Sequence, residues 1–345
     1  MKTKAAILVR QNAPLKIVEL EIPKLKRGQV LVKIAFSGIC RTQINEINGL
    51  KGEDRFLPHT LGHEGSGTVI DTGPEVSKVK VNQKVIISWL KGSGVDSGGS
   101  CYYLDGKKVN SGPVSTFLEY AIISENRLFP ILDEVSLREA SLLGCAIPTG
   151  AGIIFNEMKI CKKNSLCIFG LGGIGFSSLL AAKFKGVDPI IVIDISPQKI
   201  EKALKMGATH GIKADSKDVI AQISEITNGN KVDFALEAVG KKEVMELAFS
   251  CINDQKGICF LVGNLPKGET ISIDPFDLIK GKKLYGSWGG GTDMERDVNL
   301  YIDLIKKENK FVQEMITYEN KLSNINEAIE HIESGKCLCR AIIAI

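Results

Sequence analysis

The stretch CIFGLGGIGFSSLLAAKFKG sets Gly170, Gly172 and Gly175 between an apolar run and a helical run. Glycines at this spacing serve a tight turn, let the backbone approach a bulky anion, and bring the helix close onto the strand. The segment is therefore committed to strand, turn, helix, with the helix N-terminus facing a pyrophosphate. The next apolar run, PIIVID, ends in Asp194, 19 residues beyond Gly175. A carboxylate there meets the hydroxyls of an adenosine ribose and repels a 2′-phosphate, so NAD is expected rather than NADP. Read without a ligand, Asp194 is a solvated acid at a strand end. Lys199, one helical turn on, is either a ribose contact or a solvent-facing lysine.

A chain of 345 residues is too long for one core and implies two domains. Before about residue 145 the runs QVLVKIAFSG, GSGTVIDTG, QKVIISWL and FLEYAIIS alternate and are separated by turn signals, which predicts a mostly β domain. From about Asn164 the rhythm changes. SLCIFG, PIIVID, VDFALEAVG and GICFLVG are short continuous apolar strands between helical stretches such as PQKIEKALKMGA, the signature of a parallel sheet covered on both faces. After Trp288 come two helical segments, MERDVNLYIDLIKK and INEAIEHIESG, and a last strand CRAIIAI that returns to the first domain. Residues 91–113, rich in Gly, Ser and Asp, read as a mobile loop.

The formal charge of +4 is mild and spread along the chain, so no basic stripe asks for nucleic acid. Arg10 interrupts the first apolar run, and no stretch reaches the ~18 apolar residues that span a bilayer. A soluble cytoplasmic protein is expected, without a membrane or nucleic-acid partner. The nine cysteines are odd in number and scattered, and those in SLCIFG and GICFLVG belong to apolar strands, as reduced core thiols do.

Three further residues pose a metal question. Cys40 lies in FSGICRT, His63 in LGHEGSG and Cys145 in LLGCAIPTG. With 22 residues between the first two and 81 between the last two, no compact zinc finger fits, and each cysteine alone reads equally as core. Together and in this order, GICRT, LGHEGSG, STFLEYAII, LLGCAIPTG, FGLGGIG, ALEAVG and SGKCLCRAII resemble the zinc-dependent alcohol dehydrogenases of the medium-chain dehydrogenase/reductase superfamily, over essentially the whole chain.

The resemblance implies an α/β fold: a GroES-like, mostly β catalytic domain at 1–148 completed by 289–345, and a Rossmann doubly wound parallel sheet at 149–288. It implies a homodimer or homotetramer. It makes Cys40, His63 and Cys145 the ligands of one catalytic zinc, with a fourth position open for substrate oxygen. Glu64 then lies behind the zinc or only tunes its field. Thr42 passes the substrate proton, although a helix cap would look the same. Arg41 and Arg340 match pyrophosphate contacts, and Thr149 matches a nicotinamide contact. Gly170, Gly172, Gly173, Ile174 and Gly175 form the phosphate loop, Val262 joins the cofactor site, and Trp89 either narrows the substrate pocket or is ordinary core.

Three departures follow. Relatives with a second, structural zinc hold it with four close cysteines, and here only Cys101 falls in that stretch, so no structural zinc is expected. The position three after Cys40, usually an Asp that orients the histidine ligand, is Gln43, expected to accept the bond from the second ring nitrogen without bringing charge. Asn45 stands where some relatives place a relay histidine, leaving the last proton step to water or another group. The function implied is hydride transfer between a small or medium alcohol and NAD. The alternatives are a zinc-dependent polyol, sugar or cyclitol dehydrogenase and, more remotely, a non-catalytic nucleotide-binding protein.

Overall fold

Alternation in the first third of the chain produces ten short strands: β1 (Lys2–Leu8), β2 (Lys16–Glu21), β3 (Gln29–Gly38), β4 (His59–Thr60), β5 (Gly65–Thr72), β6 (Lys84–Ile87), β7 (Ser100–Leu104), β8 (Lys107–Ser111), β9 (Tyr120–Ser124) and β10 (Leu128–Pro130). The computed structural model describes residues 1–131 and 135–345. It divides into two units, Met1–Ala146 with Asp293–Ile345, and Ile147–Thr292.

In the first unit, β1, β2, β7, β8 and β4 close a small barrel, and β10, β6, β5 and β3 continue one sheet. Ile7, Val32, Val85, Tyr102 and Ile123 fill its interior. Each such aliphatic side chain, fully buried, stabilises the fold by about 1.5–3 kcal/mol before conformational entropy is counted.

The stretch 91–113 corrects the loop expected there: it carries the β7–β8 hairpin. Asp105 and Gly106, at φ 49° and 75°, make the left-handed two-residue turn that matches strand twist. Tyr102 and Val109 pair across it and point inward, and the Tyr102 hydroxyl accepts a 2.7 Å bond from Ile122 N–H. Glycine and serine content outweighed a YYLDGKKVN alternation that was present all along.

The second unit adds β11 (Leu166–Phe169), β12 (Ile190–Asp194), β13 (His210–Lys213), β14 (Phe234–Glu237), β15 (Ile258–Leu261) and β16 (Lys283–Gly286). All pair in parallel, in the order β13-β12-β11-β14-β15-β16. This is the doubly wound arrangement expected, and its switch point lies between β11 and β14, where a crevice opens at the carboxyl ends of the strands. The chain then returns with β17 (Ile316–Lys321) and β18 (Arg340–Ala344). Ile342, Ile343 and Ala344 pair antiparallel with the end of β3, so the first unit's sheet is closed by residues made long after it was begun. Among the described residues no helix is long and apolar enough to cross a membrane.

Candidate active site

Cys40 caps helix α1 (Arg41–Ile47), directly after β3. His63 sits between β4 and β5, and Cys145 just before the helix Ala146–Gly152. Three sequence-distant segments thus converge, and the ligand atoms of Cys40, His63 and Cys145 lie within 4.8 Å of one another. Hydrogen bonding with Cys145 first, then with His63, and the positive charge of Arg340 hold the Cys40 thiol well below its ordinary value, against the cost of burial. His63 Nε2 is buried without a hydrogen-bond partner. Two soft sulfurs, one readily ionised, beside an orphaned imidazole nitrogen are the donor set of a borderline-soft cation such as zinc, and three protein donors leave a position open.

Gln43 departs from its expected role. It is buried, and its Oε1 accepts the Cys40 backbone N–H at 3.1 Å, so the amide Nε2 is the atom that meets His63 Nδ1. The glutamine donates where it was expected to accept. A neutral ring accepting at Nδ1 carries its proton on Nε2, opposite to the tautomer a metal at Nε2 requires. The competing donor, the N–H at the cap of α1, decides the amide's direction.

Glu64 is fully buried; its Oε2 accepts Ala146 N–H at 3.1 Å, and its Oε1 pairs with the Arg340 guanidinium. Burial draws Arg340 below its ordinary value, opposed by Cys40. Sequence reading named both residues but missed their pairing, because nothing local links β5 to β18. Thr42, half-buried, follows the exposed Arg41 in the first turn of α1, and Asn45 lies half-buried one turn on. Trp89 is half-buried just past β6, its carbonyl accepting from Arg127. Cys101 lies on β7, its sulfur 3.9 Å from the Tyr103 hydroxyl.

In the second unit the phosphate-loop residues fall at the carboxyl end of β11. Gly170 adopts φ 93°, and a Cβ on Gly175 would lie 2.0 Å from Gly170 O, so both positions demand glycine. Gly172 starts the helix Gly173–Phe184 with no side-chain cap, and a Cβ there would meet nothing within 4 Å. Open space before uncapped N–H groups, with Gly173 and Ile174 in the first turn, fits a pyrophosphate. Asp194 ends β12; its Oδ2 accepts Leu171 N–H at 2.7 Å and its Oδ1 accepts Ser196 N–H at 2.9 Å. The loop and the acid are therefore tied together. Lys199 is half-buried in the next helix, and Val262 follows β15, its N–H bonded to Glu237 O. The Thr149 hydroxyl is buried without a partner, as a residue awaiting a ligand would be.

A second convergence was not anticipated: Glu46, Asp54 and His59 also bring ligand atoms within 4.8 Å. NEINGLKGEDRFLPH is dense in acids and ends in histidine, which was the available signal.

Comparison with known proteins bears on the whole chain. Residues 26–133 match the alcohol dehydrogenase GroES-like domain, and residues 173–307 the zinc-binding dehydrogenase family. An S-(hydroxymethyl)glutathione dehydrogenase of Synechocystis sp. is 31% identical over 99% of this chain and 100% of its own length. Alcohol dehydrogenase class-2 isozyme 2 of Oryctolagus cuniculus is 31% identical over 99% and 98%. The crystal structure of benzyl alcohol dehydrogenase from Acinetobacter calcoaceticus superposes with a TM-score of 0.90 at 28% identity, covering 100% of this chain and 99% of that one. Likeness that runs through both units, and nearly end to end in each relative, places the chain: it belongs to the zinc-dependent alcohol dehydrogenases of the medium-chain dehydrogenase/reductase superfamily and is an oxidoreductase.

Proposed function

We propose that this chain transfers a hydride between a small or medium alcohol and NAD at a single zinc held by Cys40, His63 and Cys145. The observation that carries the reading is the convergence of those three donors around an orphaned His63 Nε2. When bound, zinc supplies a Lewis acid for the substrate oxygen and NAD supplies the hydride acceptor. The chain's own residues do the rest. Thr42 Oγ1 accepts the substrate's hydroxyl proton as it passes its own on toward water, and Asp194 holds the adenosine ribose. The Gly170–Gly175 turn and the helix after it seat the pyrophosphate, and Thr149 orients the nicotinamide. Glu64 and Arg340 keep two opposite charges paired beside the donors. A screen of alcohols, aldehydes and polyols with NAD and NADP, following the reduced cofactor's absorbance, tests this; no turnover across the panel overturns it.

A second reading, a polyol, sugar or cyclitol as substrate, is favoured by one observation. A cavity of about 430 Å³ flanking His63 is lined by Asn110, Ser111 and Ser115, groups suited to hydroxylated ligands. The same screen separates the two. For assembly we propose a homodimer or homotetramer. The sheet edge at β16, with Tyr285 exposed on it and Phe276 and Ile279 exposed on the helix that precedes it, supports it, and light scattering tests it.

Two predictions belong to these residues. To bind zinc through Nε2, His63 must carry its proton on Nδ1, so the Gln43 amide must turn and release the Cys40 N–H, at about 0.5–1.5 kcal/mol. Gln43→Asp offers acceptor oxygens to both donors. Zinc loss to a colorimetric chelator should slow about tenfold or more, the scale of groups that orient metal ligands. An unchanged rate means the amide imposes no such cost.

The other concerns proton exit. Asn45 has no titratable proton, so Asn45→His would install a group with an unperturbed pKa of ~6.5. Single-turnover alcohol oxidation near neutral pH should quicken by up to about tenfold, or ~1.4 kcal/mol. Identical single-turnover pH profiles would remove Asn45 from the proton path and leave the zinc assignment standing.

A further inference from the structure

We infer that Glu46, Asp54 and His59 form a second, exchangeable divalent-cation site, built from one imidazole and two carboxylates rather than from thiols. His59 is 7% exposed and lies in β4, where its Nδ1 is 2.9 Å from Thr60 O. A carbonyl only accepts, so Nδ1 carries the ring proton and Nε2 presents a lone pair. That lone pair faces Asp54 Oδ2 at 2.7 Å and Glu46 Oε1 at 3.8 Å. With the ring neutral, three electron-rich atoms converge on one point, and either a second ring proton or a metal ion must supply the positive charge between them.

The surroundings are arranged for one. Asp54 Oδ1 accepts Phe56 N–H at 2.9 Å, which leaves Oδ2 aimed at His59. The Nδ1 bond to a backbone carbonyl outside the group is the support that metal-binding imidazoles use to fix tautomer and ring direction. Lys51 Nζ pairs with Glu46 at 3.0 Å, but through Oε2, and so neutralises that carboxylate from outside. It also weakens the site, which makes the ion exchangeable. The cavity of about 430 Å³ is lined by Glu46 and His59, leaving room for the water ligands that a three-donor site needs. One nitrogen with two oxygens suits Mn²⁺ or Zn²⁺ better than Ca²⁺, which takes oxygen alone. An ion there would fasten the segment after α1 to β4, and with it the helix that carries Thr42, Gln43 and Asn45.

The test uses dialysed, zinc-containing protein titrated with Mn²⁺ and read by electron paramagnetic resonance of the free ion. Wild type should take up one Mn²⁺ per chain. Asp54→Asn and His59→Gln should each weaken uptake at least about tenfold, with dialysis-stable zinc unchanged, and Cys40→Ser should bind Mn²⁺ as wild type does. If His59→Gln does not fold, Glu46→Gln, on a half-buried side chain, carries the comparison. No uptake by wild type below millimolar Mn²⁺ would mean that a proton occupies Nε2 and that His59 and Asp54 are a simple ion pair. Undiminished uptake by the variants would likewise overturn the site.

Discussion

Cys40→Ser should purify as a folded chain that has lost its zinc, with alcohol oxidation reduced at least about a thousandfold, equivalent to ~4 kcal/mol. Folding should survive because serine is a favoured N-cap and Cys40 is the cap of α1, only partly buried and at an element boundary. Zinc should not survive, because a serine hydroxyl does not ionise near neutral pH, whereas the lowered Cys40 thiol readily supplies a thiolate. Elemental analysis after dialysis checks the first half, circular dichroism the fold, and NAD reduction the rest. Wild type should retain about one zinc per chain through dialysis. Two zincs retained by wild type and by Asp54→Asn alike would contradict a single thiolate site, and zinc retained by Cys40→Ser would remove Cys40 from the ligands.

Replacement of Asp194 should weaken NAD by about tenfold to a hundredfold, the loss of a charge-assisted hydrogen bond worth ~1.5–3 kcal/mol, and should improve NADP binding by relieving charge repulsion. Asp194→Ala alone mixes two effects, because the carboxylate also holds Leu171 N–H and Ser196 N–H. Asp194→Asn keeps an acceptor oxygen for the loop while removing the charge. Reversed preference in both variants therefore isolates the charge, and reversal in alanine only would point to loop collapse. Nucleotide fluorescence titrations with NADH and NADPH provide the measurement. A wild type that already prefers NADP would show that the ribose acid is misassigned.

What could be read from the sequence follows the range of the interactions that decide each feature. The Gly170–Gly175 turn, β11, β12 and the placement of Asp194 at a strand end depend on contacts within a few residues, and their spacing alone specified them. Strand β3 was legible end to end, since Val30, Val32, Ile34 and Phe36 recur at every second position of Gln29–Gly38. Strand β17 was not, because ITYENK buries only Ile316 fully and owes its strand form to pairing with β18. Cys40, His63 and Cys145 were singled out together by their motifs; their spacing says nothing of the convergence, since three separate segments bring them together. The direction of the Gln43 amide was beyond reach. It turns on which of two donors, Cys40 N–H or the His63 ring, wins one oxygen, and only coordinates register that contest.

The pairing of β18 with β3 has a consequence for synthesis. The nucleotide unit is one unbroken segment, Ile147–Thr292, whose strands all lie within it and can pair as soon as it leaves the ribosome. The catalytic unit is begun first and finished last. Until β18 emerges, β9 covers the far edge of β3 only along Gln29–Lys33, the Phe36–Gly38 end stays open, and Glu64 lacks the arginine that compensates its buried charge. A carboxylate left alone in that interior is costly, and an open strand edge invites foreign strands. The nascent chain therefore passes through a long interval in which its first domain is its most aggregation-prone part, and chaperone demand during translation should centre on the open edge of β3.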